Sequence, residues 1–136
     1  MRRRPFEAAV MAIVLMAAAA IAVVVAVSLF VPGMKLDAMW RLNPRAAETM
    51  RPMGRWLGAA LAGVGLVAAV AGLGLWGGRR WGWGVAVALF AVNGAGDLVS
   101  MAVTRDWIRS GIGVVAAVVF LAVLLSGRVR AFVAVY

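Results

Sequence analysis

Four long apolar runs, residues 8–31, 56–77, 83–104 and 110–127, dominate the chain and are separated by short polar segments. Each has the 17–25 or so helical residues needed to cross a hydrocarbon core about 30 Å thick. Within the runs the period-3.6 amphipathicity is weak, as for helices apolar on every side. Backbone N–H and C=O groups must be satisfied internally in lipid, which favours helices over any open strand. The pattern therefore predicts an all-α integral membrane four-helix bundle. It forms a single transmembrane domain over residues 1–136, with almost no mass outside the bilayer.

The one substantial interruption, residues 32–55, carries its own pattern. Asn43 followed by Pro44 is an N-cap and first-turn pair, so Pro44 to Met50 reads as a short helix ended before Pro52. Ahead of it, Leu36, Met39 and Trp40 make a small apolar face. Both pieces are expected to lie flat at the membrane surface, with Trp40 and the methionines inserted and the arginines among headgroups. No internal repeat or second domain is visible.

All six tryptophans (Trp40, Trp56, Trp76, Trp81, Trp83 and Trp107) fall at the edges of the runs or between them. Indole prefers the headgroup level, so this belt supports the segment boundaries independently. Alternating crossings put Trp76, Trp81 and Trp83 on one side and Trp40, Trp56 and Trp107 on the other. The segment from Gly77 to Gly84 (GGRRWGWG) is glycine-rich but lacks the Gly-Lys-Ser/Thr ending of a phosphate loop. It reads as a tight turn in which Arg79, Arg80, Trp81 and Trp83 anchor to lipid headgroups.

Composition narrows the chemistry. The chain is 65% hydrophobic and 14% charged, against about a quarter charged in soluble domains. It has no cysteine, which removes thiolate, zinc-thiolate and iron-sulfur chemistry. It has no histidine, the commonest metal ligand and the commonest acid-base group near neutral pH. No metal site or other cofactor is expected. Met34, Met39, Met50 and Met53 share the first loop, and thioethers suit Cu(I), but interfacial packing is the commoner use of such side chains. The net charge of +9 comes from 14 basic residues that border the apolar runs. The lipid bilayer is thus the expected partner and nucleic acid is not.

The basic residues divide evenly between the two sides, seven and seven. The cluster Arg2 to Arg4 and the Arg79-Arg80 turn sit closest to helix ends, so the positive-inside rule places both termini in the cytoplasm of a multi-pass plasma or inner membrane protein. The first apolar run is about 24 residues, too long for the h-region of a cleaved signal, and is expected to be retained.

Only the third run contains an ionisable residue. Asn93, Asp97, Ser100 and Thr104 recur at i, i+4, i+7 and i+11, within about 60° of one helix face. A carboxylate in a membrane helix is costly and is by default a functional candidate. As a proton or cation site, Asp97 would use Asn93 and Ser100 as neutral partners. As structural glue, it would bond across helices or pair with an arginine, for which Arg105 and Arg109 at the outer turn and Arg41, Arg45, Arg51 and Arg55 on the first loop are available. The structural role is the preferred reading, because a lone carboxylate is thin material for a relay.

A seam of small residues, Gly58, Ala62, Gly65, Ala69 and Gly72, runs along the second span. Gly113 and Ala117 follow in the fourth, and Gly94 and Gly96 flank the polar pair. Small residues let membrane helices approach closely. The spacing leaves open whether the seam serves this chain or a partner.

No enzyme is expected, since the serines lack an activating histidine or in-span lysine and no carboxylate pair sits at catalytic spacing. No family motif is recognised. The sequence favours a structural or accessory subunit that packs with itself, as a homo-oligomer, or with a larger membrane complex. The alternative is a minimal oligomeric ion, proton or small-solute transporter or channel using the Asn93/Asp97 stripe.

Overall fold

The computed structural model describes residues 3–31 and 33–134. The chain is all-α, with no strand among the described residues. Its long helices are α1 (Phe6–Phe30), α3 (Gly54–Trp76), α4 (Arg80–Thr104) and α5 (Trp107–Leu124). All four are long and apolar enough to cross a membrane, which makes this a multi-pass membrane protein. Between α1 and α3 lie a 3-10 helix (Lys35–Leu42), α2 (Pro44–Met50) and a single 3-10 turn (Arg51–Met53). A further short helix, α6 (Gly127–Val133), follows α5.

The spans agree with the hydrophobic pattern, but each begins two or three residues earlier. The apolar run marks where a helix enters hydrocarbon, whereas the helix itself starts at its cap. In α5 that cap is Asp106, whose carboxylate accepts the N–H of Arg109 at 3.2 Å. The last span ends at Leu124 rather than Gly127, because Ser126 already stands at the N-cap position of α6. Seven residues are too few to register as a separate element in the hydropathy pattern. In the first loop the expected cap is present, with Asn43 Oδ1 accepting the Ala46 N–H at 3.2 Å and Pro44 opening α2.

The chain divides into two compact units, Met16–Ala69 and Met1–Leu15 with Val70–Tyr136. In the first, the small-residue seam of α3 packs on α1. A Cβ on Gly65 would stand 3.3 Å from the Ala19 carbonyl and the Ala22 methyl, and one on Gly58 3.2 Å from the Phe30 ring. This part of the seam serves the chain itself. The core here takes Ala19, Ala26, Leu29, Ala68 and Ser28, whose hydroxyl returns to the Val25 carbonyl at 2.9 Å. Trp40 is also buried, only 7% exposed, so the chain itself covers the ring and leaves little of it free to insert into lipid. Asp37 fastens that loop: it accepts the Gly33 N–H at 2.7 Å and meets Arg51 at 3.7 Å. Gly54 joins the loop to α3 at φ +53° and ψ −130°, a conformation open only to glycine.

In the second unit the core is Ala8, Met11, Ala12, Leu15, Ala71, Leu75, Ala86, Ala117, Leu124, Val129 and Val133. The α3–α4 turn closes through Gly78 at φ +72°. Just beyond it the backbones of Gly74 and Gly82 come so close that a Cβ on Gly82 would lie 2.5 Å from the Gly74 Cα. Polar side chains tie down the loose helix ends. Arg4 lies 3.7 Å over the Trp76 ring and donates to the Trp76 carbonyl at 3.1 Å, capping α3. Arg128 pairs with Glu7 at 3.0 Å.

Candidate functional site

The polar stripe of α4 lies along its seam with α5, within one unit. The two helices run antiparallel, and the register can be read rung by rung. The Trp83 indole N–H donates to the Leu124 carbonyl at 2.8 Å. The Phe90 and Phe120 rings follow at 5.1 Å between centroids and a tilt of 47°. Next, a Cβ on Gly94 would stand 2.9 Å from the Ala117 methyl. The Asp97 carboxylate then lies directly against Gly113, where an added Cβ would overlap it. Last, the Ser110 hydroxyl donates to that of Ser100 at 3.4 Å.

This ladder explains where the carboxylate goes. Asp97 points at α5, and the missing side chain of Gly113 supplies the notch that admits it. Gly113 and Ala117, one turn apart on α5, match Asp97 and Gly94 in reverse order on α4. Large meets small at one rung, and small meets small at the next. The seam is closed by packing, and among the described residues Asp97 makes no hydrogen bond or ion pair.

The four stripe residues are used differently. Asp97 and Ser100 are half-buried at the seam. Thr104 turns its hydroxyl back to the Ser100 carbonyl at 2.7 Å and accepts the Asp106 N–H at 3.4 Å, so it serves the α4–α5 turn. Asn93 is exposed, one residue past the midpoint of α4, with no partner for its side chain among the described residues.

Of the arginines considered for Asp97, neither Arg105 nor Arg109 pairs with it. Arg105 has left the helix at the C-cap, in the left-handed region at φ +53°. Arg109 sits one turn before Gly113, and helical side chains lean toward the N-terminus, which carries it away from Asp97. Arg55 belongs to the other unit. The residues read as headgroup anchors also have neighbours within the chain. The Trp83 N–H is engaged by Leu124, Arg80 donates to the Ala134 carbonyl at 3.0 Å, and the Trp81 ring covers Gly74, while Arg79 stays exposed at the N-cap of α4.

Among the described residues no group of three or more His, Cys, Asp or Glu could hold a metal ion. Of the four loop methionines, Met34 alone lines the open pocket of about 610 Å³ there, alongside Asp37, Glu48 and Arg51. Sequence reasoning missed Gly113 as the receiver of Asp97 and Ser110 as the partner of Ser100. Setting the third and fourth spans antiparallel and matching bulky with small positions would have found both. Compared with known protein families, curated proteins and solved structures, the chain matches none.

Proposed function

We propose that this chain is a structural membrane subunit, rather than an enzyme, and that it assembles with a second copy of itself through the outer face of α4. The observation that carries this reading is Asn93. An amide exposed at the middle of an apolar helix, with no partner among the described residues, is costly to leave in hydrocarbon. An asparagine pair across a two-fold axis satisfies donor and acceptor on both copies. Beside Asn93, Gly96 and Val103 are exposed within about 80° of it around the helix, and Val92 and Val99 are exposed just beyond them. A Cβ on Gly96 would meet nothing within 4 Å, so a partner backbone has room to approach there. In this reading Asp97 is internal packing of the α4–α5 pair.

A second reading, a minimal cation or proton pathway, draws on the absence, among the described residues, of any hydrogen bond or ion pair to the Asp97 carboxylate. One experiment on reconstituted protein separates the two. Asn93→Leu should weaken self-association by about 1–2 kcal/mol, roughly five- to thirtyfold, in a dilution measurement between labelled copies. Asp97→Asn should leave both association and ion flux as in the wild type. Flux abolished by Asp97→Asn with assembly intact would replace the structural reading with the pathway.

For orientation, we read the side bearing Arg3, Arg4, Arg79, Arg80, Arg128 and Arg130 as cytoplasmic, which puts both termini there. Within one unit, Arg4 caps α3 and Arg128 holds Glu7, so several of these cations stand at helix ends, where the positive-inside bias acts. The chain has no cysteine, so single-cysteine variants report cleanly. Arg45→Cys should react with an impermeant maleimide on intact cells, and Arg79→Cys only after permeabilisation. The reverse pattern would invert the topology.

A further inference from the structure

Beside the first turn of α4, a pocket of about 330 Å³ opens against α6, lined by Arg80, Trp83, Gly84, Arg130, Val133 and Ala134. Two guanidinium groups border it, and among the described residues no carboxylate does. Arg80 donates to the Ala134 carbonyl at 3.0 Å, which fixes its guanidinium in place while leaving other N–H donors unspent. The Arg130 side chain makes no hydrogen bond or ion pair among the described residues. The carboxylate that α6 does meet, Glu7, is engaged by Arg128. The rest of the lining is apolar. Because the Trp83 N–H is directed to the Leu124 carbonyl, its ring is left to form a wall, with Gly84 and Val133 beside it. The N-terminal end of α4 adds a partial positive charge.

We infer that this pocket binds an anionic phosphate group, and that the phosphate of a membrane phospholipid is its natural source. Guanidinium forks match phosphate oxygens in charge and geometry. The indole wall and Val133 suit the glycerol and upper acyl chain that accompany a lipid phosphate but not a free one. The pocket lies at the end of a membrane-spanning helix, at the depth where headgroups sit. Its chemistry does not depend on whether the outer face of α4 pairs with a second copy.

The test is native mass spectrometry of the full chain released from bilayers of phosphatidylcholine mixed with phosphatidylglycerol, counting the anionic lipids retained. The wild type should keep phosphatidylglycerol in preference to phosphatidylcholine. Arg130→Gln, which breaks no hydrogen bond or ion pair among the described residues, should lower retention about fivefold, and Arg80→Gln/Arg130→Gln further. Arg45→Gln/Arg55→Gln removes the same charge elsewhere and should retain lipid as the wild type does. Competition by millimolar inorganic phosphate would identify a free phosphate as the source, and its failure to compete would identify the lipid. Equal retention by the Arg80/Arg130 and Arg45/Arg55 pairs, or no preference for phosphatidylglycerol, would overturn the assignment.

Discussion

Gly82→Ala should destabilise the protein by about 3 kcal/mol, at the upper end of the range for overpacking a tight interior. The methyl group would stand 2.5 Å from the Gly74 Cα and carbonyl carbon and 2.6 Å from the Leu75 amide nitrogen. These are backbone atoms of a neighbouring helix, so no rotamer change relieves the overlap. The start of α4 and the end of α3 must separate, which strains the Gly77 to Arg79 turn joining them. Gly84→Ala is the internal control. A Cβ there meets nothing within 4 Å, and alanine is a better helix former than glycine by about 1 kcal/mol in aqueous hosts. Reversible unfolding in detergent micelles should therefore show Gly82→Ala well below the wild type and Gly84→Ala level with it or above. Equal stability of the two variants would refute the close approach.

The second large effect concerns Asp97. Gly113→Ala should cost about 2 kcal/mol, because its methyl group falls on the Asp97 carboxylate. Shortening the opposing side chain should restore most of the loss, so Asp97→Ala/Gly113→Ala is expected to approach the wild type, with a coupling of about 0.5–3 kcal/mol. Asp97→Asn/Gly113→Ala should not recover, since asparagine keeps the shape while losing the charge. That contrast separates a steric notch from an electrostatic contact. Were the asparagine pair to recover fully, charge rather than volume would govern the rung. Gly111→Ala is the control on the same helix, because a Cβ there is free of neighbours.

The spans were legible because lipid imposes a one-dimensional rule: about 20 apolar residues, then polar ones. Asn43 and Pro44 were legible because capping is local. What escaped needed a partner distant in sequence. The pattern along the chain suggests for Asp97 an ion site, a bond across helices or an arginine pair, but its neighbour is the absence of a side chain at Gly113, which only the antiparallel register of α4 and α5 brings opposite. Trp83 carried the signature of an interfacial indole, yet its N–H reaches the Leu124 carbonyl, 41 residues away. Both are useful to a membrane helix end, where carbonyls need donors. The seam of α3 was read correctly as packing, and Gly58 and Gly65 settle which helix receives it. The short α6 stood out least in the hydropathy pattern, because seven residues with only Val129 and Val133 buried are too few to register as a separate element.

The stripe itself was half legible. Spacing gathered Asn93, Asp97, Ser100 and Thr104 on one face, but it could not say that Thr104 folds back on its own helix or that Asn93 stays uncovered. That division is what moves weight from a pathway to an assembly surface.

Self-association through α4 is therefore the claim to test most directly, by a disulfide scan in membranes using single cysteines placed from Val85 to Val103 in this cysteine-free chain. Crosslinked dimers should peak at Asn93, Gly96 and Val103, one side of the helix, and fall away at Phe90 and Gly94, which face α5. No crosslinking at any position, or crosslinking without helical periodicity, would contradict it.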